Sequence, residues 1–412
     1  MKVLFISPNA ERINMPVLPL GLAMVAAATR RAGHEPRFLD LLGSQDPLAA
    51  VRWAIGEFQP AVIALSIRNV DDQSMQDTKF LLEPVQDVVA ACRATSQAKI
   101  VVGGAGYSIF PEAALAYLNA DYGICGEGEL VFPVLLERLQ QGQDVAGLPA
   151  VYVRGGQPPT TRIFAEELDR LPMPEADLWS SADPMDPEVW VPVQTRRGCP
   201  LACSYCSTPE LEGTELRTRS PATVVEHIAR VAEAGFRKFY FVDNTFNFPA
   251  SYALELCHRL AELRLDLAWR CILYPHQVNE ELVMAMAKAG CVEVSLGFES
   301  GCPQVLRAMN KRFQPQEVRE ISERLAAHGI RRLGFLLLGG PGETKESLDE
   351  SFAFARSLGL EMLKVSTGIR LYPHTPLARQ AVEEGVLSNE DDLLTPRFYI
   401  QPGLEDYIRE IQ

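Results

Sequence analysis

Two stretches of this chain alternate short apolar runs with longer amphipathic segments, and that alternation constrains the fold more than any other feature. In residues 1–145 the runs Val3–Ser7, Pro36–Leu41, Val62–Ile67, Ile100–Gly104 and Tyr122–Cys125 are separated by Leu20–Ala32, Leu48–Phe58, Lys79–Ala94, Pro111–Leu118 and Leu130–Gln140. Short strands joined by helix-length crossovers imply parallel pairing, hence an α/β doubly wound sheet. Ligands on such sheets sit beyond the carboxyl ends of the strands. The loops there are Pro8-Asn9, Arg68-Asn69, Gly103-Gly104-Ala105-Gly106 and Gly126-Glu127-Gly128-Glu129. Glycine lets backbone approach a ligand, and a tight strand-to-helix turn uses it equally. G-G-A-G lacks the spacing of the dinucleotide fingerprint, so a nicotinamide cofactor is not expected.

Residues 146–188 carry Pro149, Pro158, Pro159, Pro172, Pro174, Pro184 and Pro187, which rule out long regular elements and read as a linker. A second α/β series fills 189–377. Its strands are expected at Val191–Thr195, Lys238–Val242, Leu267–Cys271, Glu293–Phe298, Gly334–Leu338 and Met362–Thr367, with helices between them. Pattern alone gives parallel α/β. Residues 378–412 read as a tail closing the second unit, with no chemistry assigned.

Between these series lies Gly198-Cys199-Pro200-Leu201-Ala202-Cys203-Ser204-Tyr205-Cys206. Thiolates at C-x3-C-x2-C spacing suit soft metals and iron–sulfur clusters, and one short loop can wrap a single cluster. Three ligands are one fewer than a closed zinc site or a fully ligated cluster needs. A cubane held by three thiolates keeps one iron open to a non-protein ligand. A zinc-binding or buried-cysteine loop is the bland alternative.

With Tyr205 ahead of the last cysteine, the loop resembles the signature of the radical SAM superfamily. The resemblance implies a [4Fe-4S] cluster on Cys199, Cys203 and Cys206 whose open iron chelates S-adenosylmethionine (SAM). It also implies reductive cleavage to a deoxyadenosyl radical, a donor such as flavodoxin or ferredoxin, and a partial (β/α)6 barrel over 189–377. Upstream, P-L-G-L (19–22), A-G-H-E (32–35), G-G-A-G-Y (103–107) and G-E-G-E (126–129) are similar to the cobalamin-binding domain of class B radical SAM methyltransferases. That places a corrin at Gly103, Gly104, Gly126 and Glu127. The D-x-H-x-x-G element that supplies a histidine to cobalt elsewhere is absent, and His34 is expected to face solvent.

The resemblance extends to strand ends downstream. Asp243 or Asn244 would hold the SAM amino group, or serve as a turn. Glu299 and Ser300, in Gly297-Phe298-Glu299-Ser300-Gly301, would contact the ribose or methionyl part. Gly339, in Gly339-Gly340-Pro341-Gly342-Glu343-Thr344, would pack near adenine, with Thr344 capping the next helix as the structural explanation. Arg217 or Arg219 would grip the SAM carboxylate, since a guanidinium donates two parallel bonds; a solvated basic pair is the alternative. His374, in Tyr372-Pro373-His374-Thr375-Pro376, is a candidate acid/base or a surface residue.

Charge and hydropathy exclude other classes. A net charge of −14 argues against wrapping a nucleic-acid backbone. No apolar run is long enough for a membrane span, and the opening residues read as a strand, not a signal peptide. Six cysteines scattered outside the loop do not form a disulfide framework, so reduced thiols and a cytoplasmic setting are expected. The reading is a cobalamin-dependent enzyme methylating an unactivated carbon of a small molecule. Its rivals are a radical SAM enzyme performing rearrangement, ring formation or 3-amino-3-carboxypropyl transfer, and a non-enzymatic metal-binding protein.

Overall fold

A computed structural model of the chain describes residues 1–11, 18–179 and 182–410. Its first sheet comprises β1 (Lys2–Ser7), β2 (Glu35–Asp40), β3 (Val62–Ser66), β4 (Lys99–Gly103), β5 (Tyr122–Ile124) and β6 (Val151–Val153) in the order β2-β1-β3-β4-β5-β6. The first five are parallel, with helices packed on both faces; β6 is antiparallel to β5. Phe5 and Val101 on one face and Leu4 and Val102 on the other are all buried, which is why these strands read as unbroken apolar runs. Strand order reverses at β1, leaving a crevice between β1 and β3 at their carboxyl ends. The last strand, β6, comes from the proline-rich stretch read as linker; proline spacing leaves room there for three residues of ladder.

The second unit holds β7 (Val191–Val193), β8 (Arg196–Arg197), β9 (Arg217–Thr218), β10 (Lys238–Phe241), β11 (Ala268–Leu273), β12 (Cys291–Glu299), β13 (Arg331–Leu338) and β14 (Met362–Thr367). Strands β7 and β10–β14 form one parallel sheet in chain order, with no ladder between β7 and β14. This is the partial (β/α)6 barrel. Alternation sorts its side chains: Trp269, Cys271 and Leu273 of β11 are buried against helices, while Arg270 and Ile272 are half-buried on the inner face. Phe241, Phe246 and Trp269 lock the helix side with ring centroids 5.1–5.2 Å apart.

The short pair β8 and β9 brackets the cysteine loop. Two further strands, β15 (Ile369–Arg370) and β16 (Phe398–Tyr399), pair antiparallel in the carboxyl-terminal region. That region does more than cover the barrel. Leu377, Ala381, Leu394 and Tyr399 enter the same apolar cluster as Val51, Val85 and Leu115 of the first unit. The tail also runs over the end of β13, where the Gln401 amide donates to the Gly339 carbonyl at 2.9 Å. The six cysteines outside the loop are buried free thiols, and Cys257, Cys271, Cys291 and Cys302 are core residues. Among the described residues no helix is long and apolar enough to cross a membrane.

Candidate functional site

The cysteine loop is built by its neighbours rather than by its own hydrogen bonds. Gly198 opens it at φ +87, and a Cβ there would run into the Glu215 carbonyl, so only glycine fits. The Cys199 amide donates to the Gly213 carbonyl at 3.1 Å, closing the loop through β8 and β9. On the far side, Asn310 Nδ2 donates to the Ala202 carbonyl at 2.7 Å and Arg312 to the Pro200 carbonyl at 3.1 Å. The Ser204 amide donates to the Met309 carbonyl.

The donor set suits a cluster. Cys199 is buried and Cys203 and Cys206 are half-buried. Burial above all, with the Cys206 and Cys203 charges adding to it, raises the Cys199 thiol to about 11, so the three sulfurs feel one another. Iron would relieve that repulsion. The Thr208 amide lies 3.5 Å from Cys206 Sγ, a donor to the thiolate. Among the described residues no three His, Cys, Asp or Glu side chains converge tightly enough for a single metal ion.

Gly103, Gly104, Gly126 and Glu127 are brought together on one cleft at the carboxyl edge of the first sheet. Phe5, Val101, Ile124 and Phe132 form its apolar wall. Its roof is Gln194, Arg197, Leu211 and Glu212, residues that flank the cysteine loop on both sides. Among the described residues no histidine lines it, and His34 takes a 3.1 Å hydrogen bond from the amino terminus. Gly104, at φ +97, is also required by its own turn, since a Cβ would meet the Ile67 carbonyl oxygen at 2.6 Å.

The Glu127 carboxylate is held by protein partners. It pairs with Arg197 at 3.1 Å and Arg217 at 2.7 Å, and accepts from the Ala165 amide at 2.7 Å. Arg217, expected at the SAM carboxylate, is committed to Glu127 and to the Ala165 and Glu212 carbonyls. Arg219 is buried against the linker, donating to the Leu168 and Leu171 carbonyls. Sequence spacing could not separate these roles, because each partner lies on a distant segment.

At the barrel's strand ends the expected residues divide similarly. Asn244 is exposed, and its Nδ2 donates to Glu212 Oε2 at 2.9 Å. Asp243 is buried, accepting from the Thr195 and Arg196 amides at 2.7 and 3.1 Å, and so ties β10 to β7. Glu299 reaches Lys311 at 3.1 Å from a left-handed backbone at φ +62, after a register shift at the end of β12. Ser300 is buried, with Oγ 2.9 Å from Ser351 Oγ. Gly339 lies beneath Ile408 of the tail. His374 is an exposed turn residue at φ +64. Glu212, which the sequence did not single out, joins these parts: it accepts from Gln194 Nε2, the Gly198 amide and Asn244 Nδ2. Burial raises its carboxyl above the ordinary range.

Comparison with known families identifies the two units. The model of the radical SAM superfamily matches residues 193–355, and that of the B12-binding domain matches residues 7–136. The chain belongs to the cobalamin-binding radical SAM enzymes. Two curated proteins extend the likeness along the chain. An uncharacterized methyltransferase of Pyrococcus horikoshii is 27% identical over 94% of this chain and 84% of its own. The tryptophan 2-C-methyltransferase of Streptomyces laurentii is 23% identical over 93% of this chain and 74% of its own. The structure of the radical SAM methyltransferase TsrM from Kitasatospora setae, with tryptophan and a SAM analogue bound, shares the fold at a TM-score of 0.88 and 21% identity. It covers 100% of this chain and 87% of its own. This radical SAM enzyme therefore uses a [4Fe-4S] cluster, SAM and cobalamin.

Proposed function

We propose that this enzyme is a cobalamin-dependent methyltransferase acting on an unactivated carbon of a small molecule, reduced by a flavodoxin- or ferredoxin-type donor in the cytoplasm. One observation carries the reading: the cobalamin cleft takes its roof from residues on both sides of the cysteine loop. Two cofactors that must act on one substrate need such adjacency. The bound cluster and SAM supply radical chemistry, and the corrin supplies a transferable methyl group. The chain's residues position them. Cys199, Cys203 and Cys206 hold the cluster, and Gly103, Gly104 and Gly126 let backbone approach the corrin. Asn244 and Glu299 present polar groups to SAM, while Tyr205 packs behind the loop. The methyltransferase names of two relatives spanning 93–94% of the chain support methylation.

The test is anaerobic purification with reconstitution by iron, sulfide and hydroxocobalamin, then incubation with SAM and dithionite. About four irons and one cobalt per chain are expected, with S-adenosylhomocysteine and 5′-deoxyadenosine formed. Alanine at any of Cys199, Cys203 or Cys206 should abolish both products. Deoxyadenosine without S-adenosylhomocysteine would replace methylation with rearrangement or ring formation, and methylthioadenosine would indicate aminocarboxypropyl transfer.

A further inference from the structure

Lys311 is a buried cation beside the cysteine loop, with a side chain only 5% exposed. A buried ammonium is costly unless it is paired. Here Nζ lies 3.1 Å from Glu299 Oε1 and inside a half-cage of rings, with the centroids of Tyr205, Tyr274 and Phe313 at 5.3, 5.7 and 5.9 Å. Tyr205 belongs to the loop itself. The Tyr274 hydroxyl accepts from the Arg312 amide at 2.8 Å, so the cage is fixed on its other side. The irregularity at the end of β12 and the left-handed Glu299 backbone aim the carboxylate at this point.

Burial alone would lower the Lys311 ammonium, but Glu299, Tyr205 and Cys203 raise it well above the ordinary lysine value, so it stays charged. Tyr205 lies between Cys203 and Cys206. With Nζ over its ring at 5.3 Å, the positive end of the Lys311–Glu299 pair faces the loop.

We propose that Lys311 is a positioning residue that holds a fixed positive charge against the cysteine loop and raises the reduction potential of the cluster. One-electron reduction adds one negative charge to the cluster, and a nearby cation in a poorly solvated compartment stabilises it. The same ion pair fixes the Glu299 carboxylate at the end of β12. The proposal rests on the cluster assignment and not on methyl transfer.

Wild type, K311R, K311M and the neutral pair E299Q/K311Q are reconstituted anaerobically. Each is poised with dithionite and mediators, and the reduced cluster is followed by electron paramagnetic resonance, with iron per chain measured on every sample. K311R should titrate with wild type. K311M and E299Q/K311Q should keep their iron, yet show about tenfold less reduced cluster at a fixed potential, a shift of about 59 mV downward. The neutral pair matters because K311M leaves a buried carboxylate unpaired. Full iron with an unchanged midpoint in both variants overturns the proposal. Loss of iron from the neutral pair overturns it too, since the charge would then serve assembly. Wild type without iron would instead refute the cysteine assignment.

Discussion

Gly198 has no freedom to spare: its φ is +87 and the Glu215 carbonyl occupies the space of a Cβ. Gly198→Ala should therefore tear the loop from β9, leaving less than half the wild-type iron per chain after identical reconstitution. Glu343 is a different residue-scale case. Its Oε2 accepts from the Gly339 and Gly340 amides, while Oε1 is buried without a partner. Burial raises this carboxyl from 4.5 to about 7. An acid with a raised native pKa favours folding in full below pH 4.5, and that advantage disappears as pH rises through 7. The shift corresponds to about 3 kcal/mol. Urea unfolding at several pH values should show wild type losing stability relative to Glu343→Gln across this window. A constant difference between the two would contradict the assignment.

At the scale of elements, the cysteine loop depends on the segment after the helix Pro303–Ala308, more than 100 residues away in sequence. Asn310, itself at φ +57, reaches the Ala202 carbonyl, and Arg312 reaches that of Pro200. Losing one such bond is worth about 1 kcal/mol, or roughly fivefold in a rate governed by loop opening. Asn310→Ala should thus bind its cluster normally but release iron to a chelator about fivefold faster. Unchanged release kinetics would mean the loop is held without Asn310. Apart from β13, which starts three residues before its expected Gly334, the expected strands of both sheets were legible within a residue or two, because their burial pattern repeats along the chain. Strand β6 was not. Three residues among prolines carry no periodic signal, and only pairing with β5 makes them a strand.

At the scale of the molecule, buried ion pairs join the two α/β units. Arg197 and Arg217 of the barrel meet Glu127 and Glu129 of the first domain. On another side, Arg370 Nε lies 2.8 Å from Asp71 Oδ2, both almost fully buried. Removing one partner of such a pair leaves a charge stranded and costs about 3–5 kcal/mol. Asp71→Asn should lower thermal stability and split one calorimetric transition into two, as the domains uncouple. A single transition at the wild-type midpoint would show that the apolar contacts suffice.

The chain's own order determined the α/β alternation, the cysteine spacing and the glycine edges, since these depend on periodicity and on neighbours a few bonds away. The partners of its charges were decided only by tertiary packing. Arg217 met Glu127, Lys311 came to stand over the Tyr205 ring, and Arg370 found Asp71. Electrostatic pairing follows distance through space, and two sheets facing each other at their carboxyl edges set that distance.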